Sequence, residues 1–157
     1  MDAIALLKQQ HREVDSLFER ILTASDDEKI LLLGKISEQL TIHAQLEERH
    51  VYPFARQVGI QDMVDHAIEE HAEVKQLIAE ILSLKRHDPR VLENVQLLQQ
   101  SVQSHVAEEE STFFPRLATL TSPEELMRLG MEMQSTMQEL SQQELLAMAE
   151  SQGAMSP

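Results

Sequence analysis

Apolar positions step through the chain by threes and fours in four separate stretches. Ile4, Leu7, His11, Val14, Phe18 and Ile21 form the first, and Ile36, Leu40, His43, Glu47, His50 and Phe54 the second. Val64, Ala67, His71, Val74, Ile78 and Ile81 form the third, and Val91, Val95, Leu98, Val102, His105 and Glu109 the fourth. That spacing matches one buried face of an α-helix, so each stretch predicts a helix packed against a common core. Punctuation sets the ends. Ser25 with Glu28 makes a capping box, Gly59 suits a helix end, Asp88-Pro89 suits an N-cap and first turn, and Ser122-Pro123 with Glu125 repeats that signal. Helices are therefore expected near 2–23, 26–57, 61–86, 89–119 and 123–150. Short connections make neighbours antiparallel. The expected fold is all-α: an antiparallel up-down four-helix bundle over 1–120, an additional C-terminal helix over 121–150, and a disordered tail over 151–157.

Every seam carries a histidine where leucine would ordinarily sit, and the second and fourth carry a glutamate one turn later. The stretches "HAQLEERHVYP" from His43 and "HVAEEESTFFP" from His105 lie 62 residues apart; "HREVDSLFERI" from His11 and "HAEVKQLIAEI" from His71 lie 60 apart. Two similar helical hairpins related by an approximate twofold axis bring the four histidines to one depth. A lone histidine on an apolar face is ordinarily a hydrogen-bonded core residue, but four imidazoles and two carboxylates are a different matter. Left unpartnered, each buried charge would cost several kcal/mol against a total stability of about 5–15 kcal/mol. Ions of opposite charge would offset that cost. Residues four apart share a helix face, so His43 with Glu47, and His105 with Glu109, present a nitrogen and a carboxylate to the same place. A carboxylate has two oxygens and can bridge ions held about 3.5–4 Å apart. The expected metal ligands are His11, His43, Glu47, His71, His105 and Glu109. Mixed imidazole and carboxylate donors suit iron or manganese, with zinc a further option.

Composition narrows the surroundings. At 157 residues the chain is one domain's length, and 4 glycines among many Leu, Glu, Gln and Ala agree with helix throughout. With 27 acidic against 13 basic residues the net charge is -14, which disfavours nucleic acid and anionic membrane as partners. No cysteine means no disulfide, thiolate metal site or iron–sulfur cluster, leaving nitrogen and oxygen donors. Neither a basic-then-apolar leader nor a membrane-length apolar run is present, so a soluble cytoplasmic protein is expected.

The six residues, with the trailing Tyr52-Pro53 and Phe114-Pro115, resemble the hemerythrin-like family in its bacterial HHE form over roughly residues 3–120. That family's pattern is His on the first helix, His-x-x-x-Glu on the second, His on the third and His-x-x-x-Glu on the fourth. The resemblance implies a non-haem di-iron centre, both glutamates bridging and an oxo or hydroxo group between the irons, meeting O₂, NO or peroxide. It implies a protein that binds, senses or detoxifies such an oxidant, as monomer or homodimer. Catalase- or peroxidase-like turnover is one alternative. Iron–sulfur repair or iron handling is another, though relatives in repair usually carry an added cysteine-bearing N-terminal segment. Oxygen carriers of the family place a further His four residues after the third-helix His, where this chain has Lys75, and end the fourth motif in Asp rather than Glu109. With six-coordinate irons, that ligand set fills all but two positions, a site expected to react with peroxide or NO rather than carry O₂ reversibly. A ferritin-like reading would want Glu-x-x-His on two helices; Glu47-x-x-His50 fits, but Glu109 is followed by Thr112.

Lesser candidates complete the expectation. His50 could fill an open position, or hold a ligand by a hydrogen bond; Tyr52 could reach an iron or pack near the bundle end. His66, about 140° round the helix from His71, should face out, and His87 belongs to a loop. Glu48, Glu108 and Glu110 should be solvated, and Asp15 either orients a ligand or lies at the surface. Pro53 and Pro115 should bend or end their helices beyond the site. Met127, Met131, Met133, Met137 and Met148 read as adaptable packing on the bundle or against a second subunit.

Overall fold

The computed structural model describes residues 1–154, with side chains described except at 144, 145 and 148–154. Helix α1 spans Ala3–Leu22 and α2 spans Asp26–Leu46, the latter continuing through a π-helical turn, Glu47–Val51, into α3, Tyr52–Gln57. The second hairpin repeats this order with α4 (Gln61–Ser83), α5 (Arg90–Glu108), a π-turn at Glu109–Phe113 and α6 (Phe114–Thr119). A final helix, α7, runs Pro123–Ala154. The fold is an all-α, antiparallel helical bundle with a fifth long helix. No helix among the described residues is long and apolar enough to cross a membrane.

Most ends fall where the punctuation put them, but α4 stops at Ser83, short of the expected 86, where Leu84 turns extended. Ser25 Oγ accepts the Glu28 N–H at 3.3 Å, and Ser122 Oγ accepts that of Glu125 at 3.2 Å. Asp88 Oδ1 accepts the Arg90 N–H at 2.9 Å, so the helix starts one residue later than the Pro suggested. Gly59 adopts φ 94°, the left-handed conformation that closes the α3–α4 corner. The last helix continues past 150 to Ala154, so 151–154 are helical here; residues 155–157 of the expected tail lie outside the described residues.

Each proline follows a π-turn rather than a simple bend. Pro53 and Pro115 lack an N–H, and the turn before each is widened so that Tyr52 N–H reaches Glu47 O and Phe114 N–H reaches Glu109 O. One extra residue per turn rotates everything downstream. The inward seam after Glu47 therefore runs through Val51, Tyr52 and Ala55, all buried, and not through the expected His50 and Phe54.

The apolar core lies at the two ends of the bundle. One cluster, with Phe18, Ile21, Ile36, Ile81 and Leu98, fills the end where α1 meets α2 and α4 meets α5. The other, with Leu7, Leu46, Tyr52, Val64 and Phe114, is completed by Leu126, Leu129 and Met133 of α7. Burial of each such side chain is worth roughly 1.5–3 kcal/mol. Between them lies one polar layer.

Candidate metal centre

That layer consists of His11, His43, Glu47, His71, His105 and Glu109, each less than a tenth exposed and contributed by four helices. All six expected ligands are brought together. His11 Nε2 lies 3.0 Å from Glu109 Oε1, and His43 Nε2 lies 3.1 Å from Glu47 Oε1 and 3.8 Å from Glu109 Oε1. On the other side His71 Nε2 lies 3.2 Å from Glu47 Oε1, and His105 Nε2 3.5 Å from Glu109 Oε2. Glu47 thus stands between His43 of one hairpin and His71 of the other, and Glu109 between His11 and His43 of one and His105 of the other. Donor atoms of His11, His43 and Glu109 lie within 4.8 Å of one another, as do those of Glu47, His71 and His105.

The opposite nitrogen of every imidazole is also engaged. Nδ1 of His11 meets Glu110 Oε2 at 2.7 Å, that of His43 meets Gln10 Oε1 at 2.7 Å, that of His71 meets Glu48 Oε1 at 3.3 Å and that of His105 meets Glu70 Oε1 at 3.1 Å. An oxygen acceptor at Nδ1 favours a proton there, so Nε2, which faces inward, is the nitrogen that would give up its proton and offer a lone pair to an ion. Arg12 holds Glu110 in turn through bonds of 3.0 and 2.8 Å, and its guanidinium keeps that carboxyl down at about 2.

Two expectations are corrected here. Glu48 and Glu110 are not simply solvated; they turn back to grip His71 and His11. His50 is not on the seam: the π-turn carries it outward, where Nε2 meets Thr136 Oγ1 of α7 at 2.8 Å. Glu108 is exposed, and so are His66 and His87, the latter 3.0 Å from Asp26. Asp15 is half-buried while the imidazoles take their partners elsewhere. Gln10 and Glu70 were missed, although the repeat contained them: they precede His11 and His71 at the same offset of 60, as Glu48 and Glu110 follow Glu47 and Glu109 at the same offset of 62.

Tyr52 is the main break in the twofold symmetry. Its hydroxyl lies 3.1 Å from His71 Nε2, whereas its counterpart Phe114 only stacks on His11, ring centroids 5.9 Å apart. Burial and the charges of Glu47 and Glu109 raise the Tyr52 pKa strongly. Among the methionines, Met133 is buried, Met137 packs against the core and Met127 and Met131 are exposed; Met148 lies outside the described side chains.

The donor set fits metal ions. Four buried atoms turned into the layer, His43 Nε2, Glu47 Oε2, His105 Nε2 and Glu109 Oε2, make no hydrogen bond of good geometry, although the two nitrogens have carboxylate oxygens nearby. Burial opposes protonation of His43, yet the charges of Glu47 and Glu109 overcome it and push that imidazole up to about 10. Burial likewise opposes, and the Glu47 contact reverses, the shift of His71, which is raised. In Glu47 the pull of His43 and His71 outweighs burial and holds the carboxyl well below its usual range. The layer therefore stabilises positive charge, and inward lone pairs on nitrogen and oxygen are where a cation would supply it.

Comparison with known proteins agrees. Residues 2–117 match the hemerythrin HHE cation binding domain, and the chain belongs to that family. A DNA nickase of Nostoc sp. is 28% identical over 87% of this chain, and a hemerythrin-like protein of Schizosaccharomyces pombe described as uncharacterised is 27% identical over 82%. The chain spans 39% and 65% of the lengths of those two relatives. A crystal structure of a hemerythrin HHE domain protein from Mycobacterium kansasii superposes with a TM-score of 0.84 at 22% identity, over 93% of this chain and 91% of that one, and shares the fold.

Proposed function

We propose that the six-residue layer holds two iron ions, His11 and His43 on one, His71 and His105 on the other, with Glu47 and Glu109 shared between them. The protein then binds, senses or detoxifies a small oxidant: O₂, NO or hydrogen peroxide. The observation that carries this reading is the uniform orientation of the four imidazoles, each with Nδ1 against an oxygen and Nε2 toward a shared carboxylate. When bound, a pair of redox-active ions supplies electron exchange with the oxidant.

The chain's own residues shape what reaches the site. A cavity of about 50 Å³ adjoins the four histidines, walled by Val14, Leu40, Val74, Ile78, Val102 and Val106. It has room for a diatomic molecule or peroxide, and its apolar wall disfavours larger polar ligands. The phenol of Tyr52, held protonated by its surroundings, sits on the His71 side as the one hydroxyl within hydrogen-bond reach of a candidate ligand among the described residues. Nucleic acid is not part of this proposal: the net charge of -14 opposes it, and the nickase name belongs to a relative of which this chain spans 39%.

Metal analysis of the purified protein, with its absorption spectrum before and after hydrogen peroxide, tests the proposal. About two irons per chain and near-ultraviolet bands that respond to peroxide are expected. Rapid peroxide loss with evolved O₂ would assign catalase-like turnover, and spectral change without turnover a binding or sensing role. A colourless protein with one zinc or no metal would overturn the di-iron reading.

A further inference from the structure

The sequence contains a third His-x-x-x-Glu, His66 to Glu70, outside the two that build the buried layer. On α4 these residues share a face, and Glu108 at the end of α5 closes on them. His66 Nε2 lies 3.6 Å from Glu70 Oε1 and 3.4 Å from Glu108 Oε2, and one donor atom from each of the three falls within 4.8 Å of the others. One nitrogen and two carboxylates from two helices are a partial cage for a divalent transition-metal ion, with solvent completing it.

This group is not isolated from the centre. The same Glu70 Oε1 that faces His66 lies 3.1 Å from His105 Nδ1. Exposure falls along that line, with side chains 56% exposed at His66, 45% at Glu108, 20% at Glu70 and 9% at His105.

The other hairpin has nothing similar. By the repeat offsets of 60 and 62, His66, Glu70 and Glu108 correspond to Leu6, Gln10 and Leu46. Leu6 and Leu46 are buried in the core cluster that Leu126, Leu129 and Met133 of α7 complete. The last helix packs chiefly on α1 and α2 over that corner, while His66 and Glu108 at the α4–α5 corner are exposed. A hydrated ion meets apolar packing at one corner and imidazole with two carboxylates at the other.

We propose that His66, Glu70 and Glu108 form an outer divalent-cation site through which the buried centre is loaded, Glu70 being the carboxylate common to both. The loading role rests on the reading of the buried layer as a metal centre; the outer site itself does not. The acidic surface raises the local cation concentration, and the cluster gives an arriving ion inner ligands before it sheds its remaining water.

Cobalt(II) serves as the probe, titrated anaerobically into metal-free full-length protein and into the double variant H66A/E108Q. Bound ions are counted by equilibrium dialysis, and uptake is followed by visible absorption. Wild type should bind about one ion more per chain than the variant, and the variant should fill its remaining sites about tenfold more slowly. Equal counts, or equal uptake rates, would overturn the proposal. The count left in the variant reports separately on the buried centre: about two ions sustain that reading, and none defeats it whatever the outer site does. Both substituted residues are exposed, and the fold of the variant is to be checked by circular dichroism.

Discussion

At the scale of single residues the site depends on paired contacts around each imidazole. Glu48 and Glu110 face the outer ring nitrogens and not the inward ones, and so orient His71 and His11 and favour a proton on Nδ1. Glu48→Gln and Glu110→Gln are each expected to weaken metal retention by about 10–100-fold, read by competition with a chelator. Gln keeps an acceptor oxygen but not the charge that favours the Nδ1 proton. Tyr52→Phe should keep the fold and the bound metal, because Phe114 fills the equivalent place in the other hairpin. It should alter the visible spectrum of the loaded centre; identical spectra would show that the phenol does not influence it. The ligand residues themselves were legible in the sequence, since histidine on an apolar helical stripe is conspicuous. Their partners were not, because a glutamate next to a ligand looks like any solvated residue until the neighbouring helix is placed against it. His50 was misplaced for a related reason: periodicity counts a regular α-helical turn, and the π-turn adds a residue.

Among the elements, α7 is joined to the bundle by a close backbone crossing. A Cβ at Gly130 would lie 2.8 Å from Asp2 C and 2.9 Å from Ala3 N. Gly130→Ala is therefore expected to destabilise by about 1–3 kcal/mol in urea unfolding, although alanine is the better helix former. Gly34 in α2 has nothing within 4 Å of such a Cβ. Gly34→Ala should stabilise by about 0.5–1 kcal/mol, and the opposite signs separate packing from propensity. Helix limits were readable because Ser25, Asp88 and Ser122 act through bonds to residues two or three positions away. The course of α7 was not, since its Met and Leu positions suit the bundle or a second subunit equally well.

For the whole molecule, the buried layer links stability to its ions. The two apolar clusters hold the bundle ends, while the layer between them concentrates buried imidazoles and carboxylates. Metal removal should lower the melting temperature, by calorimetry, and re-addition should restore it, because ligands that bind the folded state alone stabilise it. An unchanged melting temperature would mean that the layer satisfies itself. The sequence by itself determined the helices, their pairing into two similar hairpins and the six residues that meet, because apolar period, capping and internal repeat are local or self-referential signals. Only the tertiary structure decided which carboxylates grip which imidazoles, that the π-turns aim Tyr52 inward and His50 outward, and that α7 packs over Leu6 and Leu46 while His66 and Glu108 stay exposed. Those features arise from distances between separate helices, which no single stretch of chain encodes alone.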